Sequence, residues 1–202
     1  NALLETLTAT TAKEVVIADN LFTSLTSIHA SVGILIVFSP DTVEGSTPKL
    51  AKETTVALEH IQDPGNIGTI LRTAAAVGVH QVLLSPGCAS PWSPKALRAG
   101  MGAQFSLAIH EEVDLPQSLS ELHLPTYATL LAPDASMLYD THISGPVVWL
   151  FGNEGQGISN ELASLATERI YIPQAPGTIE SLNVSAAAAV CLYEYYRQNN
   201  LA

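Results

Sequence analysis

Three short stretches of this 202-residue chain hold the side chains that can do chemistry. Asn66 and Arg72 flank Gly68, pairing an amide with a guanidinium. Glu154 lies among Gly152, Gly155 and Gly157, beside Asn153, which puts a carboxylate in a loop whose backbone can approach a ligand closely. Ser181, Asn183 and Ser185 follow a Pro/Gly-rich segment and crowd hydroxyl and amide groups at a helix start. Each set also has a plainer reading. Asn66 can cap a helix and Arg72 be a solvated charge, Glu154 can brace its loop through backbone amides, and the Ser/Asn group can be spent on capping bonds. The glycine loop does not match GxxxxGK[ST], and no GxGxxG follows the first strand, so nucleoside-triphosphate and dinucleotide readings lose ground.

These groups need elements to position them. Ile67, Ile70, Leu71 and Ala74 recur at helical spacing, predicting a helix over Ile67 to Val77 that Gly78 can end. Arg72 falls off that stripe, with open space expected beside Gly68. From Thr54 onward strands are expected at Val56–Glu59, Val82–Ser85, Phe105–Ile109, Thr126–Leu131, Val147–Phe151 and Arg169–Ile172. Helices are expected at Pro94–Met101, Leu115–Leu122 and Asn160–Ala166, and a last one opens with SLNVS and four alanines. Such alternation predicts an α/β fold with a mostly parallel sheet covered on both faces, ligands sitting beyond the carboxyl ends of its strands. All three chemical stretches then follow strands.

Residues 1–45 read as a helix, a strand at Glu14–Ala18, a helix near Asn20–Ile28 and a strand at Gly33–Phe38, too little to make a core. The chain opens without methionine inside an apparent helix, so the expectation is that it begins within a larger domain. The polar stretch from Ser39 to Lys52 reads as a linker.

Net charge is −11, from 8 Lys+Arg against 19 Asp+Glu, which argues against broad non-specific binding to a phosphate backbone. On charge alone, an acidic enzyme acting on a small molecule leads. No apolar run approaches the roughly 18 residues of a membrane span, and no signal peptide is evident, so a cytoplasmic location is expected. Cys88 and Cys191 fit neither a metal nor a disulfide framework and are expected to be reduced thiols.

In order and spacing, the three stretches resemble the signature motifs of the SpoU family of RNA ribose 2′-O-methyltransferases, within the SPOUT superfamily. Asn66, Gly68 and Arg72 match the first motif, NxGxxxR. Gly152, Asn153, Glu154, Gly155 and Gly157 match the second, and Ile172, Pro173, Ser181, Leu182, Asn183 and Ser185 the third. The similarity runs from about Val56 to Arg197, with a departure at Gly100, where the family commonly carries serine. Residues 14–38 resemble the end of the ribosomal-protein-L30e-like domain that often precedes this catalytic domain.

The resemblance implies a SPOUT methyltransferase domain over residues 46–202 that ends in a trefoil knot, and an L30e-like remnant with the start of a linker over 1–45. It implies S-adenosyl-L-methionine as cofactor, an rRNA or tRNA substrate, a homodimer packed through the helix from Ala186, and neither metal nor membrane. Leu130, Gly152, Ile172 and Leu182 would form the adenine slot. Arg72 would hold a phosphate and is the first catalytic expectation, with Asn66, Ser181 and Asn183 orienting the ribose. Glu154 would orient these partners or accept the proton. RNA attraction is expected from residues preceding the chain or from a strip of Lys49, Lys52, Lys95 and Arg98. Two readings compete: a non-catalytic RNA-binding or ribosome-assembly module on the same fold, and a nicotinamide-dependent enzyme, whose dinucleotide fingerprint the sequence lacks.

Overall fold

Short runs of β-branched and aliphatic residues bounded by turns build the sheet of this protein. The computed structural model describes residues 13–26, 33–39, 50–175, 177 and 180–201, in two compact units, Asn1–Ser39 and Pro40–Ala202. In the first unit, helix α1 (Asp19–Leu25) has no buried residue. The segments expected as strands at Glu14–Ala18 and Gly33–Phe38 are not strands. A strand is held by a neighbour and a buried face, whereas Val16 and Val37 are 90% and 88% exposed. The expected first helix and most of the linker lie outside the described residues.

The second unit carries a sheet of β1 (Thr55–Leu58), β2 (Gln81–Leu84), β3 (Ala108–His110), β4 (Thr126–Thr129), β5 (Ser136–Met137), β6 (Val148–Phe151) and β7 (Glu168–Tyr171). The order is β3-β2-β1-β6-β4-β7-β5, and every pairing is parallel. Helices α2 (Pro64–Ala76), α3 (Pro94–Gly100), α4 (Leu115–Leu122), α5 (Asn160–Leu165) and α6 (Val184–Asn200) connect and follow the strands. Strand alternation divides the core in two. Val56, Leu58, Trp149 and Phe151 pack with Ile67, Ile70 and Leu71 of α2 and Cys191 and Leu192 of α6. On the other face Ala57, Leu83 and Leu150 pack with Leu115 and Leu119 of α4 and Leu162 of α5. Each such fully buried large side chain stabilises by about 1.5–3 kcal/mol, so the sheet is a rigid base for the loops at its carboxyl edge.

One expected strand moves. Ala103–Ser106 forms a 3₁₀ turn, and β3 begins only at Ala108. Gly102 enters the turn at φ 90°, and the Gln104 amide is buried against the carbonyls of Pro91 and Ala96, which curls the backbone where alternation suggested a strand.

Candidate active site

Strand register sets the site. Leu58 of β1 pairs with Phe151 of β6, so the connection Glu59–Asp63 and the loop Gly152–Gly157 leave the sheet side by side. That loop closes on itself, with the Gly157 N–H donating to the Asn153 carbonyl at 2.9 Å and Asn153 Oδ1 accepting from the amides of Gly155 (2.9 Å) and Gln156 (3.0 Å). A Cβ on Gly152 would lie 2.3 Å from the Gly157 carbonyl carbon, so closure requires glycine there. Asn153 Nδ2 donates to the His60 carbonyl at 2.7 Å and ties the loop back to β1.

Glu154 reaches across the gap. Its carboxylate accepts from the backbone N–H groups of Gln62 and Asp63, both at 3.2 Å, and from Asn66 Nδ2 at 2.9 Å. Asn66 Oδ1 in turn accepts from Asn183 Nδ2 at 3.1 Å. Asn183 Oδ1 accepts from the amides of Ser185 (2.9 Å) and Ala186 (3.3 Å), which makes Asn183 the N-cap of α6. A continuous hydrogen-bond relay thus joins the three chemical stretches. Burial pushes the Glu154 carboxyl upward, but the Asn66 amide and the backbone donors of its own loop, Gln62 and Asp63 outweigh it and hold the group below its ordinary range.

Asp63, rather than Asn66, caps α2, accepting from the Gly65 N–H at 2.6 Å. Lys95 Nζ lies 2.8 Å from the same carboxylate and, with the Gly65 amide, lowers its pKa. Lys95 is therefore engaged by an acid, and Lys49 of the expected basic strip lies outside the described residues. Lys52 and Arg98 are exposed, without an acidic partner among the described residues.

Arg72 is exposed and, among the described residues, makes no hydrogen bond or ion pair. The open space expected beside Gly68 is absent: a Cβ there would lie 2.3 Å from the Ala96 carbonyl oxygen and 2.7 Å from Ala99 Cβ. Glycine at 68 serves the close crossing of α2 and α3, and the guanidinium must extend elsewhere. Ser181 is exposed and also lacks a hydrogen bond among the described residues. Leu130, Ile172 and Leu182 are half-buried at the ends of β4 and β7 and in the last loop, while Gly152 is buried. Leu130 packs with the α4/α5 side of the core and Ile172 with the α2/α6 side, so aliphatic groups flank the sheet edge on both faces. Positions 176, 178 and 179 of this loop lie outside the described residues.

Three participants escaped the sequence reading. The amides of Gln62 and Asp63 hold Glu154, and the Asp-Pro-Gly turn that presents them was a legible signal. His60, at φ 51° with its N–H on Ser85 Oγ at 2.9 Å, gave none, because a left-handed histidine has no pattern in one sequence.

Comparison with known proteins agrees with this architecture. The model of the SpoU rRNA Methylase family matches residues 53–193. An uncharacterised tRNA/rRNA methyltransferase of Synechocystis is 38% identical over 97% of this chain and 72% of its own length. The 23S rRNA (guanosine(2553)-2′-O)-methyltransferase RlmP of Bacillus subtilis is 36% identical over 72% of this chain and 59% of its own. The AdoMet-bound crystal structure of an rRNA methyltransferase from Sinorhizobium meliloti superposes with TM-score 0.66 at 37% identity, over 72% of this chain and 56% of that one. Fold and comparisons together define an α/β methyltransferase class. The chain belongs to the SpoU rRNA methylase family.

Proposed function

We propose that this protein transfers a methyl group from S-adenosyl-L-methionine to the ribose 2′-hydroxyl of a nucleotide in rRNA or tRNA. The observation that carries the reading is the relay Glu154–Asn66–Asn183, which fixes the three motif loops around one spot while leaving Arg72 and Ser181 without partners among the described residues. Family membership and relatives named as tRNA/rRNA and 2′-O-methyltransferases support it.

The residues present fit the cofactor. Half-buried Leu130, Ile172 and Leu182 and the glycine at 152 supply uncharged, mostly aliphatic groups at the strand ends and in the last loop, the residue types that suit an adenine ring. When bound, the cofactor supplies an electrophilic methyl carbon on a sulfonium. Around it the chain orients the acceptor, and positioning of this kind lowers a barrier by roughly 7 kcal/mol or more. Arg72 holds a phosphate through its planar fork, and Ser181, Asn66 and Asn183 orient the ribose. Glu154 braces Asn66, and its lowered pKa makes it a weak proton acceptor at neutral pH.

The reading extends to a knotted tail, a homodimer and a cytoplasmic location, with residues 46–202 as the catalytic domain and 1–45 as an L30e-like remnant. Among the described residues no helix is long and apolar enough to cross a membrane. Gln198 and Asn199 near the end of α6 hold the backbone of 141–145, which supports a tail packed within an earlier loop. For the dimer, exposed Tyr193 and Tyr139 line a shallow apolar groove with Val190 of α6 and Leu201 just beyond its end. Tyr193→Asp should leave the fold intact and yield a monomer in sedimentation equilibrium; an unchanged mass removes α6 from the interface.

Calorimetry should detect S-adenosylmethionine binding, and tritium from its methyl group should enter rRNA or tRNA at a site that resists alkaline cleavage. No cofactor binding would overturn the enzyme reading. Arg72→Ala should abolish transfer while cofactor affinity and melting temperature stay unchanged, whereas RNA binding without any transfer would identify a non-catalytic module.

A further inference from the structure

Gln104 is 1% exposed, which is rare for a primary amide, and among the described residues its side chain is hydrogen-bonded through Nε2 alone. Nε2 donates to the carbonyls of Ala96 (3.0 Å) and Pro91 (3.2 Å), while Oε1 is buried and accepts nothing among the described residues. An amide with an orphaned oxygen is a worse core filler than an aliphatic side chain of its size, so packing does not account for it. Its position beside the active helix does. The Ala96 carbonyl that Gln104 holds is the atom a Cβ on Gly68 would strike first, at 2.3 Å. Gly68 is the contact point of α2 on α3, and Arg72 is rooted one turn further along the same side of α2, so the seating of α3 on that turn sets where the base of its side chain stands.

We propose that Gln104 is a positioning residue for Arg72. By pinning the Ala96 carbonyl it fixes the distance and angle at which α3 seats against Gly68, and so the point from which Arg72 projects. The proposal rests on the reading of Arg72 as the residue that holds an RNA phosphate.

The geometry also supplies a rescue. A side chain at Gly100 displaces the Gln104 amide, because its Cβ would lie 2.4 Å from Gln104 Oε1 and 2.6 Å from Nε2, so the amide must leave the Ala96 carbonyl to admit it. If the amide is removed, that space opens, and a serine at 100, one helical turn beyond Ala96, bonds its hydroxyl to the same carbonyl. G100S and Q104A are therefore each harmful alone and compensating together.

The experiment measures methyl transfer to bulk rRNA, S-adenosylmethionine affinity and melting temperature for Q104L, Q104A, G100S, G100S/Q104A and R72K/Q104A. Q104L keeps volume and removes the donors; it should lower kcat/KM for RNA about tenfold while cofactor affinity changes less than about twofold. G100S/Q104A should return to within about threefold of wild type, and adding Q104A to R72K should cost no more than about twofold, because the two act through one group. A double variant no better than Q104A, or full additivity with R72K, overturns the proposal. If wild type itself transfers no methyl, the functional reading fails, but melting temperatures still test the exchange. Less-than-additive losses for G100S and Q104A support it and additive losses overturn it. Should Q104A alone not fold, a folded G100S/Q104A supports the exchange and an unfolded one overturns it.

Discussion

At the scale of single residues, Glu154 decides between two chemistries. A general base must have a pKa near the working pH, yet four sets of hydrogen-bond donors keep this carboxylate ionised below its ordinary range. A lowered folded-state value means that ionised Glu154 adds stability above the unfolded value of about 4.3, and that this contribution fades as pH falls through the folded value. We expect Glu154→Gln to flatten the acid limb of a melting-temperature profile below about pH 4, and to leave the pH–rate profile without a lost inflection between pH 5 and 8. An inflection in that range that disappears in the variant would make Glu154 the base. The residue types of the site were legible in the sequence because few residues can perform each task at such spacing. Their engagements were not. Asn183 both caps α6 and contacts Asn66, across a separation that no local pattern reports.

At the scale of elements, the strands and helices from Thr54 onward were legible because the sheet is buried on both faces, so each strand is a short apolar run between turns. Failures occur where tertiary contacts override the local pattern. The turn Ala103–Ser106 is fixed by the buried amide of Gln104, and the two-residue edge strand β5 is too short to carry a period. Glycines misled in a specific way: the one at 68 suggested free space and instead marks contact between helices. The loop after β6 tests the same principle. A methyl group on Gly152 meets backbone atoms of Gly157 and Ile158 within 2.4 Å, and backbone cannot yield as a flexible side chain can. Gly152→Ala should therefore open the loop, destabilise by about 1–3 kcal/mol in denaturant titration and remove S-adenosylmethionine binding, whereas Gly155→Ala, whose nearest neighbour would be 3.6 Å away, should do neither.

At the scale of the whole molecule, a net charge of −11 constrains how RNA can be held. Three described cations are already paired, Lys95 with Asp63, Arg169 with Asp134 and Arg197 with Glu194. In the second unit this leaves Arg72, Arg98 and Lys52 as described cations without an acidic partner, so the described residues of that unit have two or three charges to offer phosphates. Counterion release on single strands then gives a logarithmic salt slope of about −1.4 to −2.1, so affinity should fall only about sevenfold to twentyfold between 50 and 200 mM salt, where a basic binder loses about a thousandfold or more. Binding by such a surface depends on the fit of a folded RNA to the loops, and specificity comes from shape as much as charge. Fluorescence anisotropy with a labelled rRNA fragment measures the slope directly, and Arg72→Ala should make it shallower by about 0.7. A thousandfold loss over that range would show that cations beyond these three carry the RNA, and an unchanged slope in Arg72→Ala would remove Arg72 from the phosphate contact.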